Sequence, residues 1–414
     1  MFLKVLFYLV CNLISFLKFK NNFCNKIAQN AKITLVLAIK LCQNMTLMYQ
    51  PHFQISNNLL IYISAIESAK AVIDNSPLVP AWEAKFRDEA LARSVHYGTK
   101  IEGNDLSAAQ AGQVLSLEKT DDVQTVLDQT GIIARERDIQ EVINYRNVLA
   151  WIDQQPLLKT EEIEESSLIN LSTLNLLHRL TMDKLLDEEQ VATLRTKQVI
   201  VRGAKDGQVV FRPPVAAEIP FLLDDLFAWI KSEESQNLHP ILRAAILHYQ
   251  LVYIHPYVEG NGRTARAFAT LALYESGYDF KRFFSLEEYF DSDVDAYYQA
   301  LLSVQQHPKQ DLTYWLEYFT YGLALEIDKV KAKVAKLSQD LKLKRELGQQ
   351  VALSERQIVL LELLQNQGSM TSDDAQKVLP NVSVDTILRD LKDLIAKGVV
   401  KKHGVTKGVS YSLD

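Results

Sequence analysis

Cysteine is almost missing from this 414-residue chain, and its three copies, Cys11, Cys24 and Cys42, all lie near the start. The long remainder therefore has no disulfide framework, no thiolate metal site and no cysteine nucleophile. This distribution suits a reducing compartment, and we expect a cytoplasmic protein.

Acidic residues are missing from the first 50 positions, which hold six lysines. Because the formal net charge of the whole chain is −6, the remainder carries −12. An acidic body argues against broad, non-specific nucleic-acid binding, which needs a basic face to neutralise phosphates.

Long hydrophobic runs are missing as well. A helix needs about 20 mostly apolar residues to cross a bilayer, and the two candidates, Phe2–Leu17 and Ile33–Cys42, are shorter. We therefore expect no membrane contact. Residues 1–47 are expected to be a non-native or disordered extension, with translation beginning at Met45 or Met48; a signal peptide is the alternative.

Helical periodicity dominates the rest of the chain, and its length favours two or three domains. The predicted helices cover residues 56–97 with a break at Pro77 and Pro80, a segment starting near Ser107, and residues 139–152, 168–180, 219–231, 240–253 and 311–346. The exception is Gln198–Phe211, where two β-rich runs flank glycines and predict a hairpin. The fold class is therefore mainly α.

The C-terminal part has a different pattern, with three short helices at 355–365, 372–378 and 383–396 followed by two strands. That order resembles a winged helix. Its last helix balances Asp385, Asp390 and Asp393 against Arg389, Lys392 and Lys397, and the following strands are basic. DNA contact and protein contact are equal alternatives for this domain.

Residues 255–266, HPYVEGNGRTAR, combine a base, an acid, two glycines and two arginines just before a helical run. Gly260 and Gly262 let backbone N–H groups at a helix N-terminus approach an anion closely. Arg263 and Arg266 can add charge-assisted bonds to phosphate. A carboxylate at Glu259 would repel phosphate unless a divalent cation such as Mg²⁺ lay between them.

His255 ends the preceding helix, where a neutral imidazole could take the proton from an attacking hydroxyl. In transfer at phosphorus, positioning and electrostatic stabilisation supply most of the catalysis. His248 lies two turns earlier on the same helix face, and we expect it to pack in the core.

This segment resembles the signature of the Fic family: His-Pro-Phe, any residue, Asp or Glu, Gly-Asn-Gly-Arg, two residues and Arg. Only Tyr257 departs, replacing Phe. The resemblance implies a helical Fic bundle in which His255 is the base and Glu259 the Mg²⁺ ligand. Gly260 to Arg263 would form the anion hole, and Arg266 would orient the terminal phosphates of ATP.

The same resemblance also indicates which group is transferred. Doc-type kinases have Lys where this chain has Gly262, and phosphocholine-transferring relatives have Ala where it has Gly260. Both glycines favour transfer of AMP to a Ser, Thr or Tyr hydroxyl of a protein, with the chain itself as one candidate target.

Two further segments resemble family elements. The hairpin at Gln198–Phe211 resembles the flap that holds the target by strand addition, and Tyr289 to Tyr298 resembles an adenine-side element in which Asp293 replaces Asn. The residues that the resemblance assigns to the nucleotide are Glu102, His255, Gly260, Asn261, Gly262, Arg263, Thr264, Ala265, Arg266 and Asp293.

Residues 98–103, GTKIEG, resemble the family's inhibitory motif, in which a Ser or Thr stands four residues before a glutamate. Glu102 would pair with Arg266 and deny the ATP γ-phosphate its seat. Gly98 stands where the motif has a Ser or Thr hydroxyl. Without that hydroxyl the helix cap would be weaker by about 1 kcal/mol, which would loosen the inhibition.

The predicted domains are an inhibitory region at 48–125, a Fic core at 126–347 and a winged helix at 348–414. The leading hypothesis is an autoinhibited protein adenylyltransferase. The alternatives are a winged-helix DNA-binding regulator whose Fic domain senses nucleotide, and an enzyme that removes AMP, with Glu102 positioning a water. A homodimer is left open.

Overall fold

The structure is a computed structural model that describes residues 49–76, 78, 80–117, 122–155, 167–202, 209–346, 353–380, 382–404 and 409–413. The predicted extension at 1–47 and the turn of the predicted hairpin lie outside these ranges. Within them, no helix combines the length and apolar character needed to span a membrane.

Helices form most of the described chain. Before the C-terminal domain they are α1 Asn57–Asn75, α2 Pro80–Lys100, α3 Ala108–Ser116, α4 Val123–Thr130, α5 Glu136–Gln154, α6 Leu171–Met182, α7 Ile219–Ile230, α8 Glu233–Gln236, α9 Pro240–Ile254, α10 Asn261–Glu275, α11 Leu286–Ser292, α12 Val294–Gln306 and α13 Thr313–Glu346. Single 3-10 turns lie at Ala216–Glu218 and Phe280–Arg282.

The predicted helices are confirmed, with ends that shift by a few residues. Side-chain caps explain two of the starts, because Ser56 accepts a bond from Leu59 N and Ser107 forms a capping box with Gln110. The end of α2, predicted around residues 97–98, is one of these shifts. This helix continues to Lys100, so Gly98 lies inside its last turn.

The core is centred on α9 and α10, which are buried along most of their length. From α13, Trp315 donates its Nε1 hydrogen to the Ala245 carbonyl of α9 at 2.8 Å. His248 stacks on Trp315 with ring centroids 5.0 Å apart. Burial, reinforced by the nearby Arg266, lowers the pKa of His248 to about 3, which fits the packing role predicted for it.

The predicted hairpin is present as two short antiparallel strands, β1 Val201–Arg202 and β2 Val209–Phe211. Val201 pairs with Phe211, and the Phe211 ring lies 5.9 Å from that of Tyr253 at the end of α9. The hairpin thus stands beside the segment that leads into residues 255–266.

The C-terminal domain is confirmed as a winged helix. It contains α14 Glu355–Gln367, β3 Ser369–Met370, α15 Ser372–Val378, α16 Val384–Ala396, β4 Val400–His403 and β5 Ser410–Leu413. The sheet order is β3-β5-β4, with antiparallel pairing. Strand β3 was not predicted, because two residues are too few to show a period.

Candidate active site

The segment that joins α9 to α10 bends sharply at both ends. His255 ends α9 with φ 52° and Gly260 starts α10 with φ 77°, both in the left-handed region. At Gly260 a Cβ atom would lie 2.4 Å from the Met182 sulfur. Only glycine therefore fits this position, on grounds of both backbone conformation and space.

The side chain of Asn261 closes the loop. Its Oδ1 accepts a bond from Tyr257 N and its Nδ2 donates to Tyr257 O, both at 2.9 Å. Thr264 donates its hydroxyl to the Gly260 carbonyl at 2.8 Å, and Ala265 is buried. These three side chains make contacts within the loop and the core. A contact of Asn261, Thr264 or Ala265 with the nucleotide stays a prediction, and it would have to involve their backbone N–H groups.

His255 is oriented by its own helix. Its Nδ1 lies 3.2 Å from the Val252 carbonyl, to which it donates, and this leaves Nε2 as the basic nitrogen. Burial is the main cause that lowers the pKa of His255, while the Val252 carbonyl and Glu102 act in the opposite direction. A neutral imidazole at physiological pH is the form that a general base requires.

Arg263 and Arg266 sit one turn apart at the start of α10, each about 3% exposed. Arg263 Nη1 lies 3.3 Å from Glu141 Oε1, an ion pair without hydrogen-bond geometry. Among the described residues, Nε and Nη1 of Arg263 and Nε of Arg266 have no hydrogen-bond partner. Buried donors of this kind are costly unless an anion binds them.

Glu102 lies directly against this cationic pair, as predicted. Its Oε1 is 2.9 Å from Arg266 Nη2, and the side chain is 27% exposed. Burial by itself would raise the pKa of Glu102, but Arg266 and Arg263 outweigh it and the pKa is lowered. At Gly262 a Cβ would lie 2.3 Å from the same carboxylate oxygen, so any larger residue would require the end of the Glu102 side chain to shift.

The turn that follows Glu102 is fixed from α5. Asn104 is buried and donates to the Asp138 carbonyl at 2.9 Å and to Glu141 Oε2 at 3.0 Å. Glu141 is also the partner of Arg263. One buried carboxylate thus connects the Glu102 turn with the start of α10, a link between distant segments that leaves no local pattern in the sequence.

Glu259 lies in the loop between α9 and α10, and its side chain, which is 39% exposed, forms an ion pair with Arg137 of α5. No group of three or more metal-ligating side chains occurs in the part of the chain that the structure describes. Mg²⁺ typically takes one or two carboxylates plus substrate phosphates. As a lone carboxylate next to the N-terminus of α10, Glu259 fits that mode, and its role as a Mg²⁺ ligand stays a prediction.

His178 of α6 was missed by sequence reasoning. Its Nδ1 accepts from Ala192 N at 2.9 Å, so Nε2 carries the hydrogen and donates to the Glu259 carbonyl at 3.0 Å. Burial, with help from Arg263 and Arg179, lowers the pKa of His178 to about 4. It therefore holds the Glu259 backbone as a neutral group.

Arg195 was missed too, although it is only 3% exposed. It donates to the His255 carbonyl at 2.8 Å, to Pro214 O at 2.6 Å and to Lys197 O at 3.1 Å. These carbonyls belong to the loop and to both ends of the hairpin segment. An arginine just before β-rich residues was the only signal in the sequence.

The two residues that depart from the family motifs, Tyr257 and Gly98, both fit their surroundings in the structure. The hydroxyl of Tyr257 donates to Asn175 Oδ1 at 2.7 Å, and its ring stacks on His178 at 3.7 Å. At Gly98 a Cβ would lie 2.4 Å from a Tyr145 ring carbon, so serine does not fit. The predicted loss of a cap at position 98 is wrong, because this position lies inside α2.

Asp293 caps α12, accepting from Ala296 N at 2.9 Å, and is exposed. That bond accounts for an acid at this position. A contact between Asp293 and adenine stays a prediction.

The comparisons with known proteins agree with this geometry. Residues 168–273 match the model of the Fic/DOC family, and residues 356–408 match that of DeoR-like helix-turn-helix domains. A Fic family protein from Desulfovibrio desulfuricans has a similar structure with a TM-score of 0.57 at 21% identity, covering 88% of this chain and 98% of that one. A Fic domain containing signaling protein from Bacteroides thetaiotaomicron reaches a TM-score of 0.50 at 21% identity, covering 68% and 97%.

Curated relatives are similar over a shorter stretch. Protein adenylyltransferase Fic of Drosophila grimshawi is 27% identical over 216 residues, 52% of this chain and 38% of the relative. That of Drosophila virilis is 29% identical over 194 residues, 47% and 35%. The match thus spans little more than a third of these relatives. Residues 168–273, which hold the loop, the start of α10 and the hairpin, are a Fic/DOC domain, and a DeoR-like helix-turn-helix domain follows it in the chain.

Proposed function

We propose that this protein is an adenylyltransferase that moves AMP from Mg-ATP onto a Ser, Thr or Tyr hydroxyl of a protein, in the cytoplasm. The observation that carries the proposal is the pairing of a neutral, oriented His255 with buried arginine donors at the N-terminus of α10. The names of the matched relatives agree with it.

The reaction needs few groups. The hydroxyl oxygen attacks the α-phosphorus and forms the new P–O bond, while the bond to the β-phosphate oxygen breaks and pyrophosphate leaves. The hydroxyl proton passes to His255 Nε2. Arg263, Arg266 and the α10 N-terminus stabilise the phosphate charge.

Mg²⁺, when bound, would neutralise phosphate charge and orient the α-phosphate for attack. Glu259 would hold it, after exchange of the Arg137 ion pair. The hairpin, with Ile200 and Val210 exposed, would hold the target segment by strand addition.

Autoinhibition is the second part of the proposal. Glu102 occupies Arg266 through a short ion pair, and Arg266 is the group that would otherwise bind the γ-phosphate. The carboxylate of Glu102 outweighs the effect of burial and raises the pKa of Arg266, so the pair stays charged on both sides at neutral pH. ATP must displace Glu102 to bind productively.

The test is incubation with α-labelled ATP and Mg²⁺. The matched control for Glu102→Gly is Asp105→Gly, which removes an acid three residues later, whose side chain is 80% exposed and pairs with Arg135. Label should rise with Glu102→Gly, stay at the wild-type level with Asp105→Gly, and disappear with Glu102→Gly plus His255→Ala. Absence of label in every variant would reject AMP transfer and favour the nucleotide-sensor or AMP-removing alternatives.

A second candidate function, DNA contact, is favoured by the winged helix. Two of the three acids counted against the basic residues of this helix are engaged within the domain: Asp390 pairs with Arg356 at 2.8 Å, and Asp393 accepts from Gln357 at 2.6 Å and pairs with Lys397. The third, Asp385, is exposed. Arg389 and Lys392 are exposed on the same helix. An exposed cationic face is what phosphate contact requires.

A further inference from the structure

The last turn of α2 lies unusually close to α5. If Gly98 carried a Cβ, that atom would be 2.4 Å from Tyr145 Cε1, 3.1 Å from Cδ1 and 3.2 Å from Glu287 Cγ. Because Gly98 has no side chain, the Tyr145 ring rests directly on the α2 backbone. Protein interiors do not tolerate such overlap without a shift of one partner.

Tyr145 itself is held firmly. It is fully buried, and its hydroxyl donates to Oε1 of the buried Glu287 at 2.8 Å. The ring is therefore fixed by α5 at its base and by α11 at its hydroxyl. A side chain restrained at both ends presents α2 with a rigid surface.

The part of α2 that touches this ring also binds the active-site arginine. Gly98 O accepts a bond from Arg266 Nη2 at 2.8 Å, and the same nitrogen lies 2.9 Å from Glu102 Oε1. The Gly98 carbonyl and the Glu102 carboxylate lie on adjacent helical turns, and both bind the same Arg266 nitrogen. Any shift of the α2 end would change both contacts together.

We propose that Tyr145 is a positioning residue for the inhibited state. Its contact with Gly98 fixes the position of the last turn of α2, so that Gly98 O and Glu102 can bind Arg266 simultaneously. This inference rests on the proposed autoinhibition and adds a residue to it. Tyr145 acts through α2 and also through Arg266, which interacts with its hydroxyl.

The decisive variant is Gly98→Ala, whose added methyl must displace the ring or the helix. We expect ATP to bind about tenfold more tightly in a direct binding assay, and AMP transfer to rise in parallel. The matched control is Gly112→Ala, a change in another helix where a Cβ would meet nothing within 4 Å. In a Glu102→Gly background, Gly98→Ala should add nothing further.

Thermal unfolding of each variant shows whether it is folded. Tyr145→Phe provides a milder test that keeps the ring and removes the contacts of the hydroxyl with Glu287 and Arg266, and it should give a smaller rise in ATP affinity than Gly98→Ala. Unchanged affinity in both variants, with a rise in Glu102→Gly, would overturn the role of Tyr145 and leave autoinhibition intact. No rise in Glu102→Gly would overturn both.

Discussion

The start of α10 and the winged helix use the same types of charged residue in opposite ways. At α10, Arg263 and Arg266 are about 3% exposed and face buried or half-buried acids. In the winged helix, Arg356 and Lys377 keep 45% and 74% of their side-chain exposure while pairing with Asp390 and Asp374. Burial, more than residue type, separates the proposed reactive site from the proposed binding surface.

The energetic consequence follows from solvent screening. Exposed ion pairs contribute about 0–1 kcal/mol each, whereas a buried charge that loses its partner costs several times as much. Variants at α10 should therefore change reactivity and stability strongly. Variants in the winged helix should produce small, salt-dependent changes.

The largest difference in AMP transfer is expected between variants of two histidines, His255 and His403. His255→Ala, at the end of α9, should lower AMP transfer by about 10²–10⁴-fold, the usual contribution of a general base. His403→Ala, on the exposed strand β4, where the ring lies 2.8 Å from the Ser412 hydroxyl, should leave transfer unchanged. Single-turnover labelling in the Glu102→Gly background measures both, and equal losses would refute the assignment of the base.

A second, smaller effect concerns pH. An unfolded histidine binds a proton below about pH 6.5, but folded His178 has a pKa of about 4. The folded state therefore loses stability as pH falls from 6.5 towards 4, by about 3 kcal/mol in total for this group. Above pH 6.5 this contribution is fully retained.

Urea unfolding of the wild type and His178→Asn between pH 4 and 7.5 checks this expectation. Asparagine can still accept the bond from Ala192 N, while it has no proton to gain. The variant should show a shallower dependence of unfolding free energy on pH, and parallel curves would contradict the role of the buried imidazole.

Much of this site could be predicted because its reactive residues are contiguous. Residues 255–266 place the proposed base, the proposed metal ligand and the arginines in one segment, and capping signals such as Ser107 located helix starts. The supporting contacts could not be predicted. Tyr145 meets Gly98, and Glu141 meets Asn104, across long sequence separations, and neither pair can be found from local spacing.

The charge of α16 could not be predicted for a related reason. Three acids balance three bases over residues 383–397, but Asp390 and Asp393 turn towards α14. A net charge for a helix says little until its buried face is known. The same limit hid His178, whose neighbours in α6 form an ordinary apolar pattern.

The third comparison uses two glycines with nearly the same φ angle. Gly260 has φ 77° with Met182 close by, and Gly368, at the end of α14, has φ 76° with nothing within 4 Å of an added Cβ. Alanine at Gly260, whose backbone is left-handed helical, costs about 1–2 kcal/mol of conformational strain. Alanine at Gly368 is strained as well, because of its positive φ. At Gly260 the overlap should add about 1–3 kcal/mol.

Hydrogen exchange in each domain separates the two variants, because each glycine should affect its own domain. A second change, Met182→Ala, should recover part of the loss in Gly260→Ala, since it removes the sulfur that the new methyl would meet. Equal costs at Gly260 and Gly368 would mean that the loop relaxes more easily than its packing indicates.

The smallest effects are expected in the winged helix, where binding to duplex DNA is to be measured by fluorescence anisotropy at several salt concentrations. Each exposed cation that contacts a phosphate adds about one to the slope of log affinity against log salt. Arg389→Ala and Lys392→Ala should each lower this slope by about one, whereas Lys309→Ala, which removes an exposed cation outside the winged helix, should not change it. Equal slopes in all three variants would mean that Arg389 and Lys392 release no counterions and so do not contact phosphate. Protein contact would then remain as the role of this domain.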